Sequence, residues 1–334
     1  MTEIAKNRLG DTGPVVSRIG LGAMGMSGMY GAADDASSIA TIHAALDSGA
    51  SLIDTGDFYG MGHNESLIRT ALSERSRDDV VLSVKFGALR GPDGDWNGFD
   101  ARPAAVRNFL TYSLQRLGTD HIDIYRPARL DPTVPIEDTV GAIAALVQAG
   151  YVRHIGLSEV GAATLKRAAA VHPIVDLQIE YSLISRGIED EILPTARELG
   201  IGITAYGVLS RGLLSDSLLS GTPLETRDFR AHSPRFQGEN LTTNLRLVAA
   251  LAELAERRGV TVAQLAIAWV LAQGSDIVPV IGARRSERWA EAAAALDIQL
   301  SRDELAAIEA AVPADEVAGD RYAAEQMTML DSER

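Results

Sequence analysis

Asp54, Tyr59 and Lys85, early in a chain of 334 residues, carry side chains that could together move a proton at neutral pH. A phenol is a poor acid near neutrality, its ordinary pKa being about 10. An ammonium beside it stabilises the phenolate and lowers that value, and a carboxylate keeps the ammonium charged and oriented. A tyrosine so placed becomes a general acid, a role typically worth ~10²–10⁴ in rate. Each residue alone has a plainer reading: an Asp at a strand end caps or pairs, a Lys partners it, a loop Tyr packs. The combination acquires meaning only if the fold brings the three together.

The surrounding pattern suggests that it does. Short β-rich apolar runs alternate with amphipathic stretches. Strands are expected at Ser17–Gly22, Ser51–Asp54, Val80–Lys85, Ile122–Tyr125, Arg153–Leu157, Ile174–Gln178, Ile201–Ala205 and Ile277–Ile281. Helices are expected at Ser37–Leu46, Glu65–Leu72 with Asn64 as its cap, Pro103–Leu117, Ile136–Ala149, Ala162–Val171 and Glu189–Leu199. Thr261 with Gln264, and Ser301 with Glu304, read as capping boxes of two late helices. Repeated strand-then-helix order implies parallel strands joined by right-handed crossovers, and eight such units match a (β/α)₈ barrel, with a doubly wound open sheet as the competitor. No Gly-x-Gly-x-x-Gly or Walker A loop follows a strand, which takes support from the usual open-sheet nucleotide folds. Residues 7–16 read as an N-terminal β-hairpin plugging the barrel floor, and 207–241 as a long loop after the seventh strand. No linker divides the chain, so one α/β barrel domain over 1–334 is expected.

A barrel places its reactive groups at the C-terminal ends of its strands. Those positions hold Gly22, Ala23 and Met24, then Asp54 with Tyr59, Lys85, Arg126 to Arg129, Ser158 and Glu159, Gln178, Tyr206, and Gly282 to Arg288. Asp54 and Lys85 end adjacent strands, and Tyr59 lies on the loop that can fold back over the mouth.

The stretch Ile53-Asp54-Thr55-Gly56-Asp57-Phe58-Tyr59-Gly60, followed by Gly62-His63-Asn64-Glu65, resembles the aldo-keto reductase signature DTA-x-x-YG…G-x-x-E. The resemblance continues through Lys85, Arg153–Val160, Gln178–Arg186, Ala205–Gly212 and Val280–Arg288. It implies an NADP(H)-dependent oxidoreductase that passes a hydride from the nicotinamide to an aldehyde or ketone, with Tyr59 as acid, Lys85 as its modulator and Asp54 as the lysine's partner. It also implies that Ser158 and Gln178 hold the carboxamide, that Tyr206 stacks on the nicotinamide, and that Ser210, Arg211 and Gly212 wrap the pyrophosphate. Arg284 and Arg288 match the cations near the adenosine 2′-phosphate, a role that guanidinium forks suit. Gly22, Ala23 and Met24 complete the expected cofactor contacts. Three positions depart from the pattern: Ala128 replaces the family's fourth catalytic residue, a histidine; Glu159 replaces an asparagine; Ala292 replaces another near the adenine. Alanine cannot hydrogen-bond a carbonyl, so the competing reading is an NADP(H)-binding redox sensor with weak turnover. The C-terminal tail, 315–329, is expected to border the pocket.

Composition narrows the classes. The net charge of −14 disfavours nucleic-acid or anionic-membrane partners; the partner that the resemblance implies is a small-molecule carbonyl. With no cysteine there is no disulfide, thiolate metal site or thiol nucleophile. The histidines show no metal-ligand spacing, so no metal is expected. Met24, Met26, Met29 and Met61 fall on the first two strand-end loops, where they could line a carbonyl pocket or simply pack. No apolar run reaches 18 residues, and a cytoplasmic location is expected. The oligomeric state is left open.

Overall fold

The computed structural model describes residues 4–29, 31–215, 230 and 233–334. The chain enters through an antiparallel hairpin of β1 (Lys6–Arg8) and β2 (Val15–Ser17). Eight parallel strands then close into a barrel: β3 (Gly20–Gly22), β4 (Leu52–Gly56), β5 (Val81–Phe86), β8 (Ile122–Pro127), β9 (Val152–Ser158), β10 (Ile174–Glu180), β11 (Gly202–Tyr206) and β12 (Ile277–Gly282). Between β5 and β8 stands a second small hairpin, β6 (Ala88–Arg90) with β7 (Trp96–Phe99). Each barrel strand pairs with the next in chain order, and β12 returns to β3 through Gly282 and Gly22. The fold is the expected (β/α)₈ barrel.

The helices obey simple local rules. The helix Pro103–Leu117 starts with proline in its first turn, where a missing N–H costs nothing, and stops at left-handed Gly118. It buries Val106, Leu110 and Leu117 against the strands. Both capping boxes form, Thr261 with Gln264 and Ser301 with Glu304. Among the described residues no helix is long and apolar enough to cross a membrane.

Some boundaries differ from the sequence pattern. The run Ser17–Gly22 is not one strand, because Ser17 closes the hairpin while its hydroxyl bonds the carbonyl of Ile19, turning the chain before β3. Asn64 does not cap its helix: Gly62 does, and Asn64 is wholly buried inside the first turn. The stretch 207–241 is not loop throughout, since the helix Gly238–Arg258 begins within it; 216–229 and 231–232 lie outside the described residues. The β6–β7 hairpin has no counterpart in the expected elements.

Inside the barrel the side chains form layers. Leu9 and Val16 of the entry hairpin pack with Leu52, Ile124, Val175, Val278 and Val280 as an apolar floor. Above it lies a layer of charge. Arg126, fully buried, donates to Asp176 at 2.8 Å and to the hydroxyl of Ser83 at 2.9 Å. Thr204 donates to the same Asp176. Burial pushes the Asp176 carboxyl upward, and Arg126 opposes that. The two fit because β9 offers Gly156, where any Cβ would lie 2.5 Å from Asp176 Oδ1.

Asp176→Ala should therefore leave an unpaired guanidinium deep in the barrel. Urea unfolding should show a loss of roughly 3–5 kcal/mol, the usual cost of breaking a buried pair from one side. A loss below about 1 kcal/mol, within the range of an exposed pair, would mean that Arg126 finds other compensation.

Candidate active site

The charge layer continues upward into Asp54 and Lys85, at the mouth ends of β4 and β5. Register pairs Asp54 with Ser83, and Gly56 with Lys85. The Asp54 carboxylate accepts from the Lys85 ammonium, from Ser83 Oγ at 2.8 Å and from Gln178 Nε2 at 2.7 Å. Burial pushes the Lys85 pKa down, Asp54 pulls it up, and the charges of Arg126 and Arg129 push it down further. The Lys85 nitrogen stands 5.2 Å from the centre of the Tyr59 ring. The three residues singled out for proton chemistry thus share one buried cluster.

The loop that carries Tyr59 is shaped by close packing. The amide of Asp57 donates to the Lys85 carbonyl at 2.9 Å, pinning the loop to the neighbouring strand end. A Cβ at Gly56 would lie 3.1 Å from the Phe58 ring and 3.4 Å from the Tyr59 ring. After Tyr59 the chain turns through Gly60, Met61 and Gly62 at φ of 55°, 52° and 94°. Gly62 is doubly required, because a Cβ there would also meet Arg116 Cδ at 2.6 Å. Asn64 then serves as a strut: it accepts from Thr55 at 2.6 Å and donates to the Ala23 carbonyl at 2.9 Å and to Ser27 Oγ at 2.7 Å. One amide side chain locks the loop after β3 to the loop after β4.

Around this cluster, Phe58 packs edge-on against Tyr59 with centroids 4.8 Å apart, and against Trp96 of the small hairpin at 5.7 Å. Trp96 is half exposed, with the Arg90 guanidinium over its face. This aromatic rim was not visible in the spacing of the sequence. At the end of β8, Ala128 is buried and Arg129 donates to the Ala128 carbonyl at 2.7 Å. Arg126 lies below, fully buried, with Nη1 held by Asp176 and Nη2 by Ser83. Met26 packs in the core, Met24 and Met29 are half buried, and Met61 is exposed. No histidine joins a ligand cluster among the described residues.

The opposite side of the mouth gathers the remaining candidates. Ser158 and Gln178 are register partners, and the buried Ser158 Oγ has no hydrogen-bond partner. Glu180 at the end of β10 pairs with Tyr206 at the end of β11. Ser210 and Arg211 both adopt left-handed backbone, and the buried Ser210 Oγ is also unpartnered. Each orphaned hydroxyl suits a polar ligand, since buried polar groups normally find partners. Arg284 and Arg288 lie farther out, after β12: Arg284 reaches the Ala32 carbonyl at 3.1 Å, and exposed Arg288 pairs with Glu291 at 2.7 Å. Glu159, seen in the sequence only as a departure, is fully buried and bound by Arg321 of the tail.

The arrangement has counterparts among known proteins. A family model described as "Aldo/keto reductase family" matches residues 18–313. The chain belongs to the aldo/keto reductase family. It is 41% identical over 323 residues to a probable aldo-keto reductase of Glycine max, covering 96% of this chain and 92% of that one. A solved glycerol dehydrogenase from Gluconobacter oxydans matches with a TM-score of 0.84 at 30% identity, over 93% of this chain and 95% of its own. A holo-form aldo-keto reductase from Bacillus halodurans gives 0.76 at 25% identity, over 93% and 97%. An aldo-keto reductase oxidoreductase fold thus spans nearly the whole chain.

Behind the Tyr59 loop of this aldo-keto reductase lies a second buried acidic pair. Arg116 Nε donates to Glu65 at 2.5 Å. Neither carboxyl oxygen of Asp57 has a hydrogen-bond partner of good geometry. Burial, helped by the neighbouring Glu65, pushes the Asp57 pKa up to about 8, against opposing pulls from the Gly87 and Phe58 backbone and from Arg116. An unfolded aspartate titrates near 3.8. Between these values the folded protein holds a proton that the unfolded chain has lost, so stability falls as pH rises across this window and levels off above it. Asp57→Asn should flatten that decline. Unfolding free energies measured from pH 5 to pH 8.5 would show it, and identical slopes for both proteins would place the proton elsewhere.

Proposed function

We propose that the chain is an NADPH-dependent carbonyl reductase in which Tyr59 delivers the proton. The observation that carries this reading is the Lys85 ammonium held by Asp54 and set 5.2 Å from the Tyr59 ring. An ammonium there favours the phenolate left behind after proton transfer. When bound, the nicotinamide would supply the hydride for the carbonyl carbon. Everything else falls to the chain's own residues.

Ser158 and Gln178 would hold the carboxamide end of the cofactor. The Gln178 nitrogen is engaged with Asp54, so what it offers is its oxygen, an acceptor suited to an amide N–H. The unpartnered Ser158 hydroxyl can complete the match. Tyr206 would stack on the ring, and Ser210, Arg211 and Gly212 would take the pyrophosphate. Gly22, Ala23 and Met24 would close the wall by shape, since the amide and carbonyl of Ala23 are already bonded to Asp54 and Asn64. Arg284 and Arg288 would receive the 2′-phosphate, Arg288 exchanging Glu291 for it.

Trp96 and Phe58 present apolar faces beside Tyr59, which suits a carbonyl compound with a hydrophobic body. Ala128 removes a donor from the carbonyl oxygen and leaves room for bulk. The same feature favours the second reading, a redox sensor with slow turnover. An intact proton donor argues for the enzyme, because a sensor has no use for one. Microscopic reversibility also admits alcohol oxidation, the direction named for the Gluconobacter relative.

Tyr59→Phe should abolish NADPH consumption with activated aldehydes and leave NADPH affinity nearly unchanged. More than about a tenth of the rate surviving would contradict an acid worth ~10²–10⁴. Replacing Arg284 and Arg288 together by alanine should weaken NADPH binding far more than NADH binding, as only the former carries the extra phosphate. Equal losses in a fluorescence titration would make the pair structural.

A further inference from the structure

Glu159 follows Ser158 directly and takes a left-handed backbone, φ 54°. Asparagine visits that region readily, but glutamate does so only against a steric penalty. Its carboxylate is also fully buried. Two unfavourable features at one position call for strong compensation, and it comes from the far end of the chain. Arg321 grips both oxygens, Nη2 to Oε2 at 2.6 Å and Nη1 to Oε1 at 3.0 Å. Ser332 Oγ donates at 2.7 Å, Tyr206 Oη at 2.7 Å and the Glu180 amide at 3.0 Å. Burial alone would push the Glu159 pKa up, yet Arg321, with the Arg129 charge and the Tyr206 hydroxyl, holds it at about 2.

The tail that carries Arg321 is fastened along its length. Ala318 exchanges two 2.9 Å bonds with Asn244, and Gly319 accepts from Arg235 at 3.2 Å. The Arg321 carbonyl accepts from Arg211 at 2.6 Å, and Asp331 accepts from the Gly161 amide at 2.9 Å. Tyr322 shares a 2.9 Å hydrogen bond with Tyr206, and the Arg211 guanidinium lies 4.4 Å from the Tyr322 ring centre. The tail therefore touches Tyr206 and Arg211 directly and reaches Ser158 through its neighbour Glu159. Those are residues assigned above to the cofactor, not to the substrate.

We propose that Arg321 is a positioning residue for the nicotinamide end of the cofactor site: by neutralising Glu159 it holds the Tyr206 ring and the strand end that carries Ser158, so that tail docking and cofactor binding are coupled. This rests on the cofactor reading above. Without Arg321, Glu159 would keep its hydroxyl and amide donors but lose its bidentate counter-charge, leaving a negative group beside the site that repels an anionic dinucleotide. Coupling is reciprocal, so the bound cofactor must in turn hold the tail down.

The test is NADPH titration by fluorescence on the full chain and on Arg321→Met, Glu159→Asn and the double variant, each checked for folding by circular dichroism. Arg321→Met should weaken binding roughly tenfold or more, within the usual span of coupling between sites. The double variant should recover most of that loss, because asparagine is neutral and accepts the left-handed backbone. An Arg321→Met protein that binds like the unsubstituted one, or a double variant as weak as Arg321→Met alone, overturns the proposal. Should Arg321→Met fail to fold, limited proteolysis of the unsubstituted protein decides: NADPH should slow cleavage within 318–334, and an unchanged rate refutes the coupling. If the unsubstituted chain binds no NADPH at all, the cofactor reading falls and takes this proposal with it; normal binding with an indifferent Arg321→Met removes this proposal alone.

Discussion

The mouth of the barrel depends on keeping the Lys85–Asp54 ion pair inside it. Both side chains are nearly inaccessible to solvent, so neither charge is screened by water and each carries a desolvation penalty of several kcal/mol. Their mutual attraction does not cover that by itself. The balance is met by the hydroxyl of Ser83 and the amide of Gln178 on the same carboxylate, and by Arg126 with Asp176 just beneath. Four charges cancel within one layer of a barrel whose floor is wholly apolar. A well-packed aliphatic layer would commonly be as stable or more so. On the proposed function, the pair is better explained by what it does to Tyr59 than by what it contributes to folding.

From that pair the constraints propagate outward along hydrogen bonds. Gln178 bonds Asp54 with its nitrogen, so the group that anchors the lysine also orients a residue of the opposite wall. Asn64 ties the loop after β3 to the loop of Tyr59, and the Asp57 amide ties that loop to the end of β5. The phenol's position is thus fixed from three strands at once. On the proposed function this preorganisation matters, because a proton donor displaced by an ångström loses much of its advantage.

Much of this was legible in the sequence, for reasons that can be named. All eight barrel strands were visible because each is a short apolar run followed by an amphipathic stretch, and the Asp54, Tyr59 and Lys85 set was visible because adjacent strands in a parallel barrel must juxtapose their ends. What failed was local and competitive. Asn64 is a good capping type, but Gly62 takes the cap because its left-handed backbone and the approach of Arg116 exclude any other residue. Ser17 alternates like a strand residue, yet its hydroxyl diverts the chain. The β6–β7 hairpin is too short for periodicity to reveal. Arg321 meets Glu159 across 162 positions of sequence, a distance at which pattern carries no register. Glu159 was noticed as a departure from the family pattern, but its partner was not deducible from spacing.

A chain with net charge −14 is an unlikely-looking host for an anionic dinucleotide until the charges are placed. Fields from exposed carboxylates fade within about 8–10 Å at physiological salt, so distant acidic residues count for little at the mouth. The local population decides. Lys85, Arg129, Arg211, Arg235 and Arg321 stand there against Asp54, Glu159, Glu180 and Glu333. Among the described residues no carboxylate lies within 4 Å of the Arg129 guanidinium, which bonds only the Ala128 carbonyl and, at 3.5 Å, the Tyr322 hydroxyl. Cations outnumber carboxylates where a ligand would enter, and partial burial lets that excess act at low dielectric. On the proposed function, the acidic exterior sets solubility while the basic mouth sets ligand charge, and the two do not conflict because water and salt separate them.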